Sequence, residues 1–190
     1  LERYLRLQID RLILLKLTLI PTPCNNRQSN DKTSSRKAEI SLVGAKMSVA
    51  EATNLQGAKI AVICNDTVVT YLRDNFDHIP NPNQWDLPGG VREAGETALD
   101  CALRETQEEF GVCLSKSSVV YEATFIAQAA ANLPKREVAF FVCMVSPDVV
   151  SIIEFGEEGQ CWEMMPITKF LTRDDAVPEL QAAFKTFWTR

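Results

Sequence analysis

The chain has 190 residues, 46% of them hydrophobic and 24% charged, a balance that excludes a disordered, collagen-like or multi-span membrane protein. The net charge of −5 conceals a split: residues 1–46 carry nine Lys/Arg against four Asp/Glu, and residues 47–190 carry eleven against twenty-one. An acidic body lacks the clustered cations that a nucleic-acid polymer requires, and it suits a site that gathers metal ions.

The amino-terminal run Leu12–Ile20 (LILLKLTLI) is interrupted by Lys16 and is shorter than the ~20 apolar residues of a membrane span. No small-residue cleavage site follows it, which argues against a secretion signal. The polar tract after Cys24 (NNRQSNDKTSSRK) has the composition of a linker. Residues 1–46 are therefore expected to form a poorly ordered basic extension, with a start assigned too early and Met47 opening the folded part. The alternative is a helix that lies on a membrane surface or binds a partner. Residues 47–190 are expected to form the functional domain.

Gly57–Asn65 and Thr67–Arg73 are β-branched runs meeting at Asn65-Asp66, which predicts a hairpin. Asp74–Gln84, rich in Asn, Asp and Pro, predicts a loop, and Trp85-Asp-Leu a short strand ending at Pro88-Gly-Gly90. Thr97–Phe110 predicts a helix capped by Thr97. Ser118–Ala129 and Arg136–Ser146 predict a second strand pair, and Gln160–Met165 a further strand. Pro166–Leu171 and Pro178–Trp188 predict helices, Pro178 standing at a first-turn position that tolerates proline. Hairpins mixed with helices in this order indicate a layered α/β or α+β domain.

The six cysteines contain no C-x-x-C pair, and Cys64, Cys101, Cys143 and Cys161 lie in apolar or periodic stretches, so reduced thiols in a cytoplasmic protein are expected. The single histidine, His78, reads as a loop residue and cannot by itself supply a zinc site.

On a helical wheel Leu99, Ala102, Leu103, Thr106 and Phe110 share one side of the predicted helix, while Glu105, Glu108 and Glu109 fall on another. Three carboxylates at i, i+3 and i+4 repel one another, so a counter-charge is required. Arg104 supplies part of it, and a hard divalent cation, Mg²⁺ or Mn²⁺, suits oxygen-only ligands. The bland reading is a solvated acidic stripe. Gly89, Gly90 and Gly95 before the helix shift the balance, because they let backbone approach the helix start where phosphates and cations are commonly bound.

The segment Gly90-Val-Arg-Glu-Ala-Gly-Glu96-Thr-Ala-Leu-Asp-Cys-Ala-Leu-Arg104-Glu105-Thr-Gln-Glu108-Glu109-Phe-Gly111-Val112 resembles the Nudix box, G-x5-E-x7-R-E-U-x-E-E-x-G-U, with U aliphatic. All seven fixed identities are met, and Trp85-Asp-Leu-Pro-Gly89 is similar to the lead-in of MutT-type members. Thr106 departs from the pattern at the first aliphatic position. On the buried side of the helix its hydroxyl can bond back to the Ala102 carbonyl.

The resemblance implies an α/β/α sandwich with a mixed sheet and the box as loop–helix–loop. It implies an enzyme that splits a nucleoside diphosphate linked to another group. It further implies that Glu105, Glu108 and Glu109 hold Mg²⁺ or Mn²⁺ with the Gly90 main-chain carbonyl, that Arg104 orients the carboxylates, and that Glu96 steadies the loop through Arg104. Glu105 or Glu108 could accept the proton of the attacking water, although in many members the base comes from a later loop. Glu157-Glu158-Gly159 is the candidate segment here, a charged turn being its plain reading, and Glu158 is the candidate base. The expected partner is a small nucleotide, a (deoxy)nucleoside triphosphate in MutT style, with no membrane and with room for a homodimer. ADP-ribose or nucleotide-sugar hydrolysis, and a non-catalytic Nudix-like sensor, are the rival readings. Trp85 and Phe76 could stack on a base, although a core position or a loop anchor is the plainer reading of each. Arg73, Arg92, Lys135 and Arg136 could touch phosphates, with surface solvation the plainer reading.

Overall fold

A computed structural model of the chain describes residues 55–127 and 134–190. The expected extension, residues 1–46, lies outside the described residues.

The β-branched runs form strands β1 (Gly57–Cys64) and β2 (Thr67–Leu72), joined at Asn65-Asp66 with Asn65 in the left-handed region. β3 (Trp85–Asp86) follows the Asn/Pro-rich loop. Helix α1 (Ala98–Phe110) opens at Thr97, whose hydroxyl accepts the Asp100 N–H, and stops at Gly111. A 3₁₀ turn, Lys116–Ser118, leads into β4 (Val119–Ala127), which pairs with β5 (Arg136–Met144). Short helix α2 (Pro147–Ser151) follows, then β6 (Cys161–Pro166), α3 (Ile167–Phe170) and α4 (Pro178–Trp188). The 3₁₀ turn and α2 depart from the expected elements. Ser146, expected to end a strand, instead precedes α2, where Pro147 fits the first turn.

The six strands make one mixed sheet in the order β3-β2-β1-β5-β4, with β6 on the other edge of β2. β1 and β5 run parallel and the remaining pairs antiparallel. Because successive strand residues face opposite sides, the central strands feed two cores. Ala58, Ile60 and Val62 of β1 with Ala139, Phe141 and Cys143 of β5 pack on the α1 side, against Cys101, Ala102 and Phe110. Ala61 and Ile63 with Phe140 and Val142 pack on the α4 side, against Leu180 and Phe184. The result is a helix–sheet–helix sandwich, as expected. Only the carboxyl-terminal end of β1 pairs with β2. Along its first half the chain leaving β3 runs beside β1 instead, with Ala58 N–H donating to the Gly90 carbonyl and Ile60 N–H to the Pro88 carbonyl. That splice brings the glycine turn under α1.

Cys64, Cys101 and Cys143 are buried as expected, but Cys161 is exposed at the start of β6. The apolar pattern of its neighbours did not predict this, since alternation along a strand sends every second residue to the surface. His78 sits exposed in the loop, stacked on Phe76. No helix among the described residues is long and apolar enough to cross a membrane.

Candidate active site

The acids of α1 do not share one environment. Glu108 is exposed, Glu105 is half-buried, and Glu109 is 5% exposed, among the few charged side chains in the core. The wheel places all three on one flank. Glu109 stands at the edge of that flank nearest the sheet and is drawn in by the turn, where Gly89 N–H donates to its Oε2 at 3.0 Å. Burial pushes the Glu109 carboxyl up to about 7, even though the Lys59 ammonium and the Gly89 N–H pull it down. Burial also raises Glu105, against the pull of Arg104, while Glu108 and Glu158 add repulsion.

Gly89 and Gly90 are needed for different reasons. Gly89 has φ +127°, and a side chain there would run into the backbone of Ala58 on β1. At Gly90 a Cβ would lie 2.5 Å from the Glu105 carboxyl carbon, so the missing side chain makes room for that carboxylate. The Gly90 carbonyl, expected to face a metal, already accepts the Ala58 N–H at 3.0 Å and the Cys101 thiol at 3.7 Å. Gly90 thus makes space for Glu105 and also turns its oxygen toward β1 and Cys101.

Arg104 gathers the remaining charges. Its Nε donates to Glu96 Oε1 at 2.9 Å and its Nη2 to Glu96 Oε2 at 3.2 Å, a fork-to-fork pair. It also pairs with Glu105 at 2.9 Å and with Glu108 at 2.8 Å, and bonds the Val91 carbonyl at 3.2 Å. Glu96 in turn accepts the Glu93 N–H at 3.0 Å, tying the loop before α1 to the helix through one guanidinium. The Arg104 pair holds the Glu96 carboxyl below the usual carboxylate range. Thr106 is buried and donates to the Ala102 carbonyl at 2.7 Å, as expected for its non-aliphatic side chain.

Two residues near Glu109 were missed in the sequence. Lys59 reaches Asp86 Oδ2 and the Leu87 carbonyl, each at 2.9 Å, and Arg73 reaches the same Asp86 oxygen at 2.9 Å. Lys59 thus brings a positive charge to the buried carboxylate of Glu109. A lone lysine inside an otherwise apolar strand (GAKIAVIC) was the available signal, since buried lysines are almost always paired. Trp85 is buried in the α4-side core beneath the Arg173 guanidinium, so it is a core residue, whereas Phe76 remains exposed. Arg92 and Arg136 line a cleft of about 510 Å³ with Leu55, Gln56 and Val91. Arg73 is engaged with Asp86 and the loop and is not a free phosphate contact.

Glu158 is exposed in a bend that follows two attachments to the end of α1, Glu154 N–H to the Phe110 carbonyl and Gly156 N–H to the Glu109 carbonyl. Its charge is felt at Glu105. The structure therefore gathers Glu96, Glu105 and Glu108 on Arg104, sets Glu109 on the same helix, and carries Glu158 on a turn attached to the end of that helix.

A NUDIX domain family model matches residues 55–187. The chain belongs to the Nudix family. It is 30% identical over 123 residues to Nudix hydrolase 7 of Arabidopsis thaliana, an alignment covering 64% of this chain and 43% of that protein. The chain thus spans less than half the length of this curated relative. Among solved structures it resembles a MutT protein from Methanosarcina mazei, with TM-score 0.56 and 18% identity over 70% of this chain and 91% of that one. It also resembles a bifunctional NMN adenylyltransferase/ADP ribose pyrophosphatase from Francisella tularensis, complexed with AMP and a Mn ion. Here the TM-score is 0.57, with 18% identity over 72% of this chain and 42% of that one. At such identities these two neighbours bear on the fold, which they share.

Proposed function

We propose that this Nudix protein is a Mg²⁺-dependent pyrophosphohydrolase that cleaves a nucleoside diphosphate linked to another group, with a (deoxy)nucleoside triphosphate as substrate in the cytoplasm. The observation that carries the reading is a buried carboxylate, Glu109, one helical turn from the half-buried Glu105, with both set against the Gly89-Gly90 turn.

The residues suit a hard divalent cation. The donors are all carboxylate oxygens, and burial disfavours the charged form of Glu109, a cost that a bound cation would offset. Among the described residues no three acidic, His or Cys groups already stand close enough to cage an ion. Glu105 and Glu108 lean on Arg104, and Glu109 on Gly89. When bound, Mg²⁺ would neutralise the diphosphate and make an attacking water more acidic.

The chain's own residues do the rest. Glu105, Glu108 and Glu109 would hold the cation. Arg104 orients Glu105 and Glu108 while Glu96 fixes Arg104, so the carboxylates are presented without rotational search. Glu158, on the turn attached to α1, would take the proton of the attacking water. Glu105 and Glu108, both paired with Arg104, share the role of candidate base.

ADP-ribose or a nucleotide sugar is the second reading, favoured by the Francisella tularensis neighbour described as an ADP ribose pyrophosphatase. A non-catalytic sensor is disfavoured, because a binder has no need of a buried carboxylate that its surroundings leave under-compensated. Incubation with deoxynucleoside triphosphates, nucleotide sugars and ADP-ribose, with and without Mg²⁺, tests the proposal. Mg²⁺-dependent release of nucleoside monophosphate from a triphosphate is the expected result. Turnover of ADP-ribose alone selects the second reading, and no turnover of any substrate with Mg²⁺ refutes both.

A further inference from the structure

The turn that carries Glu158 is attached at both ends, and its second attachment has no place in the family motif. On the α1 side, Glu154 N–H donates to the Phe110 carbonyl at 3.0 Å and Gly156 N–H to the Glu109 carbonyl at 2.8 Å. Between these bonds the Phe155 ring packs on Phe110 and Tyr71, with centroids 5.4 and 6.2 Å apart. On the far side, Gly159 N–H donates to Asp74 Oδ2 at 3.2 Å and Gln160 N–H to the Leu72 carbonyl at 2.8 Å. The Gln160 side-chain amide donates twice, to the Arg73 carbonyl at 2.7 Å and to Asn83 Oδ1 at 3.0 Å. Gly159 has φ +96°, and a Cβ there would lie 2.8 Å from both the Leu72 carbonyl and the Tyr71 ring, so the chain passes where no side chain fits.

Only Glu157 and Glu158 lie between the two fixed glycines, and both are exposed. An exposed acidic pair with no task needs no such suspension, because solvated turns are normally left free to move. The far attachment also joins this turn to the Asp74–Gln84 loop, which Arg73 braces by donating to the Pro80 carbonyl at 2.9 Å. The loop is therefore a firm base for Asp74 and Asn83.

We infer that Asp74 and Gln160 are positioning residues that hold the Glu157-Glu158 turn beside the α1 carboxylates, so that Glu158 meets the attacking water in one geometry. The inference rests on the reading of Glu158 as the base and adds the residues that place it. Neither Asp74 nor Gln160 touches the reacting atoms; they act on the rate by limiting where the Glu158 carboxylate can go. A small displacement of a reacting group lowers a rate by up to ~100-fold, which sets the scale of the effect.

The test is steady-state kinetics at saturating Mg²⁺ on the full chain, using the best substrate of the panel, for Asp74→Ala, Asp74→Asn, Gln160→Ala and Glu158→Gln. Asp74→Ala and Gln160→Ala should lower kcat by roughly 10- to 100-fold with little change in KM. Asp74→Asn keeps an acceptor oxygen for Gly159 N–H and should stay within about threefold of the parent, a change of under 1 kcal/mol in barrier. In a Glu158→Gln background Asp74→Ala should add almost nothing, since the group it positions is already disabled. An equal loss from Asp74→Ala with or without Glu158 would make the contact merely structural and overturn the inference. A normal kcat in Asp74→Ala, alongside a disabled Glu158→Gln, would overturn it while leaving Glu158 as the base. Full activity in Glu158→Gln would remove the base reading and this inference together, leaving the metal-binding carboxylates untouched.

Discussion

On one face of the sheet α4 lays Leu180 and Phe184 onto Phe140, Val142 and Met165. On the opposite face α1 lays Ala98, Cys101, Ala102 and Phe110 onto Ile60, Val62 and Phe141, but it also buries Thr106 and Glu109. Both helices follow the same apolar periodicity. They differ in what else they take out of water. Among the described residues the α4 side buries no charge: beside its packing, with Phe184 near the rings of Phe140, Phe170, Phe187 and Trp188, it takes in the Thr70 hydroxyl, which donates to the Glu163 carbonyl at 3.0 Å. The α1 side gives up part of that stabilisation to keep a carboxylate under the glycine turn. Sites that do chemistry are commonly less stable than the scaffold around them, and under the proposed function the two roles would lie on opposite faces of one sheet.

The sharpest way to separate the faces is to disable each in turn. Glu109→Gln keeps the size and the acceptor for Gly89 N–H, so the chain should fold normally. Turnover should fall by more than the ~10–100-fold that a lost outer partner of a metal ligand costs, as steady-state assay would show. An unchanged rate would take Glu109 out of the metal site. Phe184→Ala should do the reverse. It should lower stability by about 3–5 kcal/mol in denaturant unfolding while leaving the KM of the remaining folded enzyme unchanged.

A third expectation sharpens the contrast through pH. In the unfolded chain Glu109 titrates near the ordinary carboxylate value of 4.5, and in the folded one near 7. The folded state therefore holds the extra proton between those values. Its contribution to stability is complete below about 4.5 and lost as pH rises through about 7, a change of about 3 kcal/mol without metal. Denaturant midpoints across that range should fall with pH in the metal-free protein, and Glu109→Gln should flatten the slope. An equal slope in both proteins would place the titration elsewhere.

The smallest effect belongs to Gly90→Ala. The new methyl meets the mobile end of Glu105 rather than backbone, so stability should change by no more than about 1 kcal/mol. Displacing that carboxylate should still lower turnover about tenfold. Gly89→Ala, which would meet backbone at positive φ, should instead impair folding.

How much of this could be read in advance follows from where each interaction is encoded. Helix α1, its Thr97 cap and the Thr106 back-bond depend on residues three or four apart, so the sequence alone supplied them. The hairpin at Asn65-Asp66 is equally local. The depth of Glu109 is not local, because it depends on Gly89 being carried beneath the helix by pairing with β1. Lys59 and Asp86 are 27 residues apart and meet only across the sheet. The orientation of the Gly90 carbonyl depends on the same β1 pairing. Trp85 shows the opposite case, a residue whose chemistry suits base stacking but whose strand partners commit it to the core.

In the proposed function the buried Glu109 carboxylate is the group that a hard cation neutralises. Titration calorimetry with Mg²⁺ at pH 5.5, run in buffers of different ionisation enthalpy, measures it directly. Glu109 is largely protonated there, so Mg²⁺ binding should expel most of one proton, and Glu109→Gln should bind more weakly and release none. Binding of equal strength in both proteins with no proton release would contradict the account.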